Sequence, residues 1–178
     1  MGLALNKLGY SLNDTNPSHL KEAEKDLNHL TPQVRGVVGD EVTMMLEQNE
    51  GNIAVVWSGV AAPLVQDSNK YNYVIPKEGS NLWFDNMVIP KTAQNKEGAY
   101  KFMNFLLDAK NNKQNTEWVG YATPNKAARQ LLPKEVRDDH RFYPTQKEQS
   151  RLEVYKDLGP KTLGEYNESF LNFKMSLK

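Results

Sequence analysis

The run from Ile53 to Trp57, IAVVW, is apolar at every position. A strand with one wet face alternates apolar and polar residues, whereas a run without alternation suits a strand covered on both faces. Such a strand belongs in a sheet layered with helices, and the flanking sequence supplies helices. Asn16-Pro17 reads as a helix start. Leu20, Ala23, Leu27 and Leu30 follow at helical spacing until Thr31-Pro32 stops the pattern. Behind Asn95, the residues Ala99, Phe102, Met103 and Leu106 repeat that spacing as a buried stripe ending near Leu107. Val34 to Val38, Tyr71 to Ile75 and the stretch from Gly79 to Pro90 read as further strands. Alternating strands and helices imply an α/β architecture.

The remaining elements follow from caps and breakers. Leu3 to Leu8 reads as a helix tail with Gly9 at its C-terminal cap. Asp40 is placed to cap a helix through Gln48, with Val42, Met45 and Leu46 inward. Val60 to Val65 reads as a helix directly after the first strand. Asp108 to Val119 is a helix with Trp118 in the core, and Lys126 to Leu132 is a short one stopped by Pro133. Gln146 to Leu158 reads as helical. A last amphipathic helix, Glu165 to Leu177, turns Tyr166, Phe170, Phe173 and Leu177 inward.

Composition narrows the function classes. Lysine plus arginine equals aspartate plus glutamate, 22 each, so the concentrated basic face of a nucleic-acid grip is not expected. The chain has no cysteine, which excludes disulfides and thiolate chemistry. No apolar run approaches the length of a membrane span, and the first residues do not read as a signal peptide. Phosphate-binding glycine loops, a G-x-S-x-G elbow and an H-E-x-x-H helix are all missing from the sequence. His19, His29 and His140 sit among polar residues and read as solvated. The chain is therefore read as a non-enzyme, with no cofactor or metal site.

What remains is a binding chemistry. In GSNLWFDNMVIP, period-two alternation puts Trp83, Asp85 and Met87 on one face and Leu82, Phe84, Asn86 and Val88 on the other. An aromatic face attracts an ammonium group by about 0.5 to 2 kcal/mol. A carboxylate adds a charge-assisted hydrogen bond to the same cation. Trp-x-Asp is thus a socket for an organic amine, or else a core ring beside a turn-capping carboxylate. Trp57 reads equally as the rim of a cleft at a strand's carboxyl end or as a core tryptophan.

Longer motifs resolve this choice by resemblance. NLWFDNMVIPKTAQNKEGAYKFMNFLL and WVGYATPNKAARQLLP resemble the spermidine/putrescine-binding proteins that serve bacterial polyamine ABC importers. KLGYSLND and AVVWSGVA fit the same pattern in the same order. The resemblance implies a type II periplasmic-binding-protein fold, two α/β lobes joined by a hinge. It implies capture of a polyamine outside the cytoplasm and delivery to a membrane permease. It gives Trp83 and Asp85 as stacking ring and amine-binding carboxylate, and Trp57 and Tyr121 as further walls. A later ligand-contacting glutamine of the family aligns nearest to Tyr155. Family members are about twice as long, so the fold is expected to be incomplete, with an export signal upstream. Residues 1–83 are expected in the second lobe, 84–128 in a segment returning to the first, and 129–178 back in the second. An exposed apolar face on the returning segment is expected to drive self-association or to leave the 84–128 segment displaced. The rival readings are a sugar or other solute binder of the same fold, a hydrolase using two carboxylates, and an interaction protein without a small ligand.

Overall fold

The computed structural model describes residues 1–177. The segment expected over 129–178 therefore has its last residue, Lys178, outside the described residues. Cα packing divides the chain into two compact units. Unit 1 comprises Met1–Ala54, Ile75–Trp83 and the described residues from Gln146 on. Unit 2 comprises Val55–Val74 and Phe84–Thr145. These boundaries differ from the expected segments: 55–74 and 129–145 group with 84–128 rather than with their neighbours in sequence.

Unit 1 is built on helices. Helix α1 (Gly2–Lys7) ends at Leu8, and Gly9 follows at φ +83°, the left-handed turn that stops a helix most easily at glycine. Helix α2 (Pro17–Asn28) starts where Asn16-Pro17 predicts, with the Asn16 side chain accepting from the Ser18 N–H. Ala4, Leu5, Leu20 and Ala23 form the buried centre, flanked by Met1, Leu8, Tyr10, Leu27 and Tyr166. A single 3-10 turn at Thr31–Gln33 and the short α3 (Val42–Glu47) follow. Asp40 does not cap α3, whose N-terminal cap is Glu41 without a side-chain bond.

The sheet of unit 1 is small. Strand β1 (Ser80–Asn81) pairs in parallel with β2 (Leu152–Glu153), Ser80 opposite Leu152 and Asn81 opposite Glu153. The Leu82 N–H extends the ladder to the Glu153 carbonyl at 2.8 Å. Gly79, at φ +122°, opens β1, and a Cβ there would press on the Arg151 carbonyl. Only glycine allows that approach of the two chains.

Unit 2 begins with α4 (Ser58–Asp67), which buries Gly59, Ala61, Ala62 and Leu64. Helix α5 (Lys96–Leu107) is capped by Asn95 through the Gly98 N–H, as expected. Helix α6 (Ala109–Val119) is capped by Asp108 and closed by Gly120 at φ +75°. Helix α7 (Lys126–Leu131) is capped by Asn125 through the Ala128 N–H, and α8 (Lys134–Arg137) follows. Thr123 is a polar joint, its N–H bonded to the Tyr143 hydroxyl and its hydroxyl to Asn112. Tyr73 stacks on Phe142, ring centroids 5.5 Å apart.

Several sequence expectations are corrected. Residues 34–38, 53–57, 71–75 and 82–90 are not strands; among the described residues only Ser80–Asn81 and Leu152–Glu153 are. A strand exists only with a hydrogen-bonded neighbour, and among the described residues ladder pairing is confined to Ser80–Asn81 with Leu152–Glu153 and the adjoining Leu82 N–H. Their apolar residues lie open: Ile53 is 93% exposed, Val55 80%, Val74 70% and Val88 82%. Trp118, expected in the core, is 90% exposed, and Phe102 of the α5 stripe is 61% exposed. Gln146 to Leu158 is not one helix but α9 (Gln146–Gln149) followed by β2. The last helix, α10 (Gly159–Met175), starts a turn and a half earlier than expected, with Pro160 in its first turn. It turns Phe173 inward, whereas Phe170 is partly exposed. His19 is not simply solvated: its ring stacks on Tyr10 at 3.8 Å and its Nδ1 lies 2.9 Å from the Asp14 carboxylate.

Candidate functional site

Unit 2 carries three of the residues expected to bind ligand. Trp57 is the N-terminal cap of α4, with an extended backbone (φ −69°, ψ 149°) and a half-exposed ring. Its carbonyl accepts from the N–H groups of Val60 and Ala61, which begins the helix. Tyr121 follows the left-handed turn at Gly120 and lies partly buried against the first turn of α4. A Cβ on Gly59 would fall inside contact distance of the Tyr121 ring, at Cε2, Cδ2 and Cζ. A Cβ on Gly120 would meet the Gly59 carbonyl at 3.4 Å and the Ala62 Cβ at 3.7 Å. The structure thus brings Tyr121 to the helix turn that Trp57 caps. Asp85 belongs to the same unit, on the exposed irregular segment 84–88.

Trp83 and Tyr155 belong to unit 1. Trp83 is half-buried just beyond β1. The Tyr155 hydroxyl sits over α1, where a Cβ on Gly2 would approach it to 2.8 Å. Burial pushes the Tyr155 phenol up, and the nearby Glu153 carboxylate adds to this. Trp-x-Asp is therefore not a motif on one strand face; its two residues fall in different units.

Sequence reasoning passed over the polar network beneath Tyr155. Glu153 accepts from the Leu12 N–H at 2.9 Å, from the Asn6 amide at 3.4 Å and from the Ser11 hydroxyl. Burial pushes the Glu153 carboxyl up, but donation from Ser11, Leu12, Asn6 and Asn13 outweighs it and holds the group below its ordinary value. The Asn13 amide donates to the Val154 carbonyl at 3.1 Å, and the Lys156 N–H donates to Asn13 Oδ1 at 2.8 Å. The Tyr166 hydroxyl donates toward the carbonyls of Leu12 and Asp14 at 3.0 and 2.7 Å. Burial first, then Asp14, Tyr155 and Glu153, push that phenol up to about 12. This network is structural, joining residues 11–14 to 153–156 and α10. No local signal marks it, because its partners lie some 140 residues apart in sequence.

No group of three or more metal-ligating side chains occurs among the described residues. A family model for bacterial extracellular solute-binding proteins matches residues 1–144. The chain belongs to that family. Among its relatives, the spermidine/putrescine-binding periplasmic protein of Salmonella typhimurium is 41% identical over 88% of this chain and 45% of its own length. The putrescine/cadaverine-binding protein of Pseudomonas aeruginosa is 32% identical over 98% of this chain and 51% of its own. A solved protein from Listeria monocytogenes, described as a spermidine/putrescine ABC transporter, superposes with a TM-score of 0.90 at 56% identity. That match covers 98% of this chain and 54% of the solved one. The chain thus spans about half the length of the family members it matches, and its fold is that of the corresponding half of a periplasmic binding protein.

Proposed function

We propose that this chain is part of the extracytoplasmic component of an ABC importer that captures spermidine or putrescine and delivers it to a membrane permease. The observation that carries the reading is the aromatic wall of unit 2, Tyr121 against the helix turn capped by Trp57, in a family with polyamine-binding members, one of them 41% identical to this chain. The work is binding without chemistry. Trp57, Trp83 and Tyr121 line the methylene chain of the amine, and Asp85 fixes an ammonium group by a charged hydrogen bond. Tyr155 contributes a further contact. The N-terminus of α4 carries partial positive charge, so Trp57 faces the methylenes and the carboxylate takes the cation. Exclusion of water around the bound amine strengthens each charged contact. In the whole protein we assign 1–83 to the second lobe, 84–128 to the first and 129–178 to the second again, although within this chain 55–74 and 129–145 pack with 84–128.

Calorimetric titration of spermidine and putrescine tests the reading. It is run on this chain and on a version joined to the remaining half of the Listeria relative. Binding by either chain, weakened by about 1.5 to 3 kcal/mol in Asp85→Asn, is the expected result. Amine binding that is indifferent to Asp85 removes that residue from the site. No heat with either amine in either chain refutes the polyamine reading.

A further inference from the structure

The first turn of α4 is held open at one position. Gly59 is buried, and the space its side chain would take is filled by the Tyr121 ring. Four residues on, Pro63 has no N–H to return to the Gly59 carbonyl, so that carbonyl lacks its usual helical donor. The chain reversal at Gly120 backs onto the same carbonyl, close to Ala62 and to Pro63 Cδ. Gly59, Ala62 and Pro63 thus form a shallow seat on α4, and Gly120-Tyr121 lies in it.

We propose that Gly59 is the positioning residue for the aromatic wall. By lacking a side chain it seats the Tyr121 ring on the helix turn next to Trp57, and so sets the width of the slot that takes the polyamine's methylene chain. The inference rests on the polyamine reading for its ligand, but not for its geometry. A methyl group at position 59 collides with the ring of a side chain, not with backbone. A ring at the end of a side chain can swing away, so the fold tolerates the change. Alanine is also the better helix former, which offsets part of any lost packing. The displaced ring, however, no longer lines the slot. Gly59→Ala therefore separates binding from stability, which a merely structural glycine would not do.

The test uses the 178-residue chain with labelled tyrosine and glycine. In the wild type, nuclear Overhauser contacts from the Tyr121 ring to the Gly59 Hα protons are expected. In Gly59→Ala the Tyr121 ring resonances shift, the melting temperature stays within a few degrees of wild type, and the spermidine Kd rises about 3- to 30-fold, the worth of one aromatic face. Gln66→Ala, on the exposed end of the same helix, leaves all three unchanged. Tyr121→Phe keeps the ring in its seat and its contact to Gly59; this variant carries the geometric test should Gly59→Ala fail to fold. A wild-type ring without contact to Gly59, or a Gly59→Ala protein that binds spermidine as tightly as wild type, overturns the proposal. If neither this chain nor the version joined to the remaining half of the Listeria relative binds a polyamine, the ligand reading fails, and the ring contact and its loss in Gly59→Ala still decide whether Gly59 positions Tyr121.

Discussion

The two units use the same amount of apolar sequence differently. Unit 1 closes on itself. Leu5 and Ala23 are fully buried between α1 and α2, α10 adds Tyr166 and Phe173, and the Glu153 network ties the 11–14 loop to β2. Unit 2 buries small residues on α4 and a polar joint at Thr123, yet leaves Val55, Val74, Phe84, Val88 and Trp118 largely in solvent. Helix pairs can satisfy their backbone internally and need only a facing stripe. Extended runs need neighbours for both backbone and side chains. The helices of unit 1 find their partners within the chain, whereas Val38 and Ile53 of unit 1 and the apolar runs of unit 2 lie largely open to outside partners. The Listeria relative, with nearly twice the length, has additional chain to provide them.

The largest effect this difference implies is on mass. We expect the chain to associate with itself through unit 2, with a sedimentation-derived mass that climbs with concentration. Val88→Lys, a charge on an exposed apolar irregular segment, shifts the protein toward monomer, because edge lysines oppose strand addition. A wild-type chain that stays monomeric at every concentration breaks the contrast between the units. Association left intact by Val88→Lys moves the contact to the exposed residues of the α5 and α6 helices.

Next in size is the centre of unit 1. Leu5→Ala empties a site with no exposed surface and is expected to cost about 2 to 5 kcal/mol. Amide exchange sharpens the reading. Helices α1 and α2 should lose protection together, while α5 and α6 change little. Equal loss in both units would mean that they unfold as one and that the division is geometric only.

Glu153 links stability to pH. Its folded carboxyl titrates below its ordinary value of 4.5, so its contribution is fully present above that pH and is lost as pH falls through the lower folded value. Acid unfolding of unit 1 is therefore expected below about pH 4.5. Glu153→Gln should cost about 2 kcal/mol at neutral pH and flatten the acid limb. The limb does not vanish, because Asp14 is also held low: burial raises it, but the Asn16 N–H and His19 outweigh that. An unchanged pH profile in Glu153→Gln would leave the network without energetic weight.

These contrasts also mark what the sequence could tell. Helix boundaries were legible where the signal is local. Asn16, Asn95 and Asn125 each cap the helix they precede, and Gly9 and Gly120 both take left-handed turns. Strands were legible only in part: the stretch read from Gly79 to Pro90 contains Ser80–Asn81, but an apolar run looks the same with or without a neighbour. Ile53 to Trp57 has the pattern of a covered strand yet leaves Ile53 and Val55 in solvent, while the pairing that does form joins Ser80 to Leu152, 72 residues away. The candidate site divides the same way. Trp57, Trp83, Asp85, Tyr121 and Tyr155 were named from motifs and a resemblance. Gly59, whose importance depends on a ring 62 positions later, carries no local mark.

The smallest effect tests whether the surface of unit 1 matters at all. Lys7 Nζ lies 2.6 and 2.8 Å from the two Asp26 carboxylate oxygens, the best-formed exposed ion pair joining α1 to α2. The lysine end is 58% exposed, so water screens the attraction and ordering the long side chain costs entropy. Lys7→Ala is expected to cost no more than about 0.5 kcal/mol, an effect that fades in high salt. Melting curves of Lys7→Ala, Asp26→Ala and the double variant, at low and high salt, isolate the pair's own contribution. A coupling well above 1 kcal/mol would mean that unit 1 is held by its surface as much as by Leu5 and Ala23. The self-sufficiency of unit 1 would then depend on ionic strength, and high salt would make it behave like unit 2.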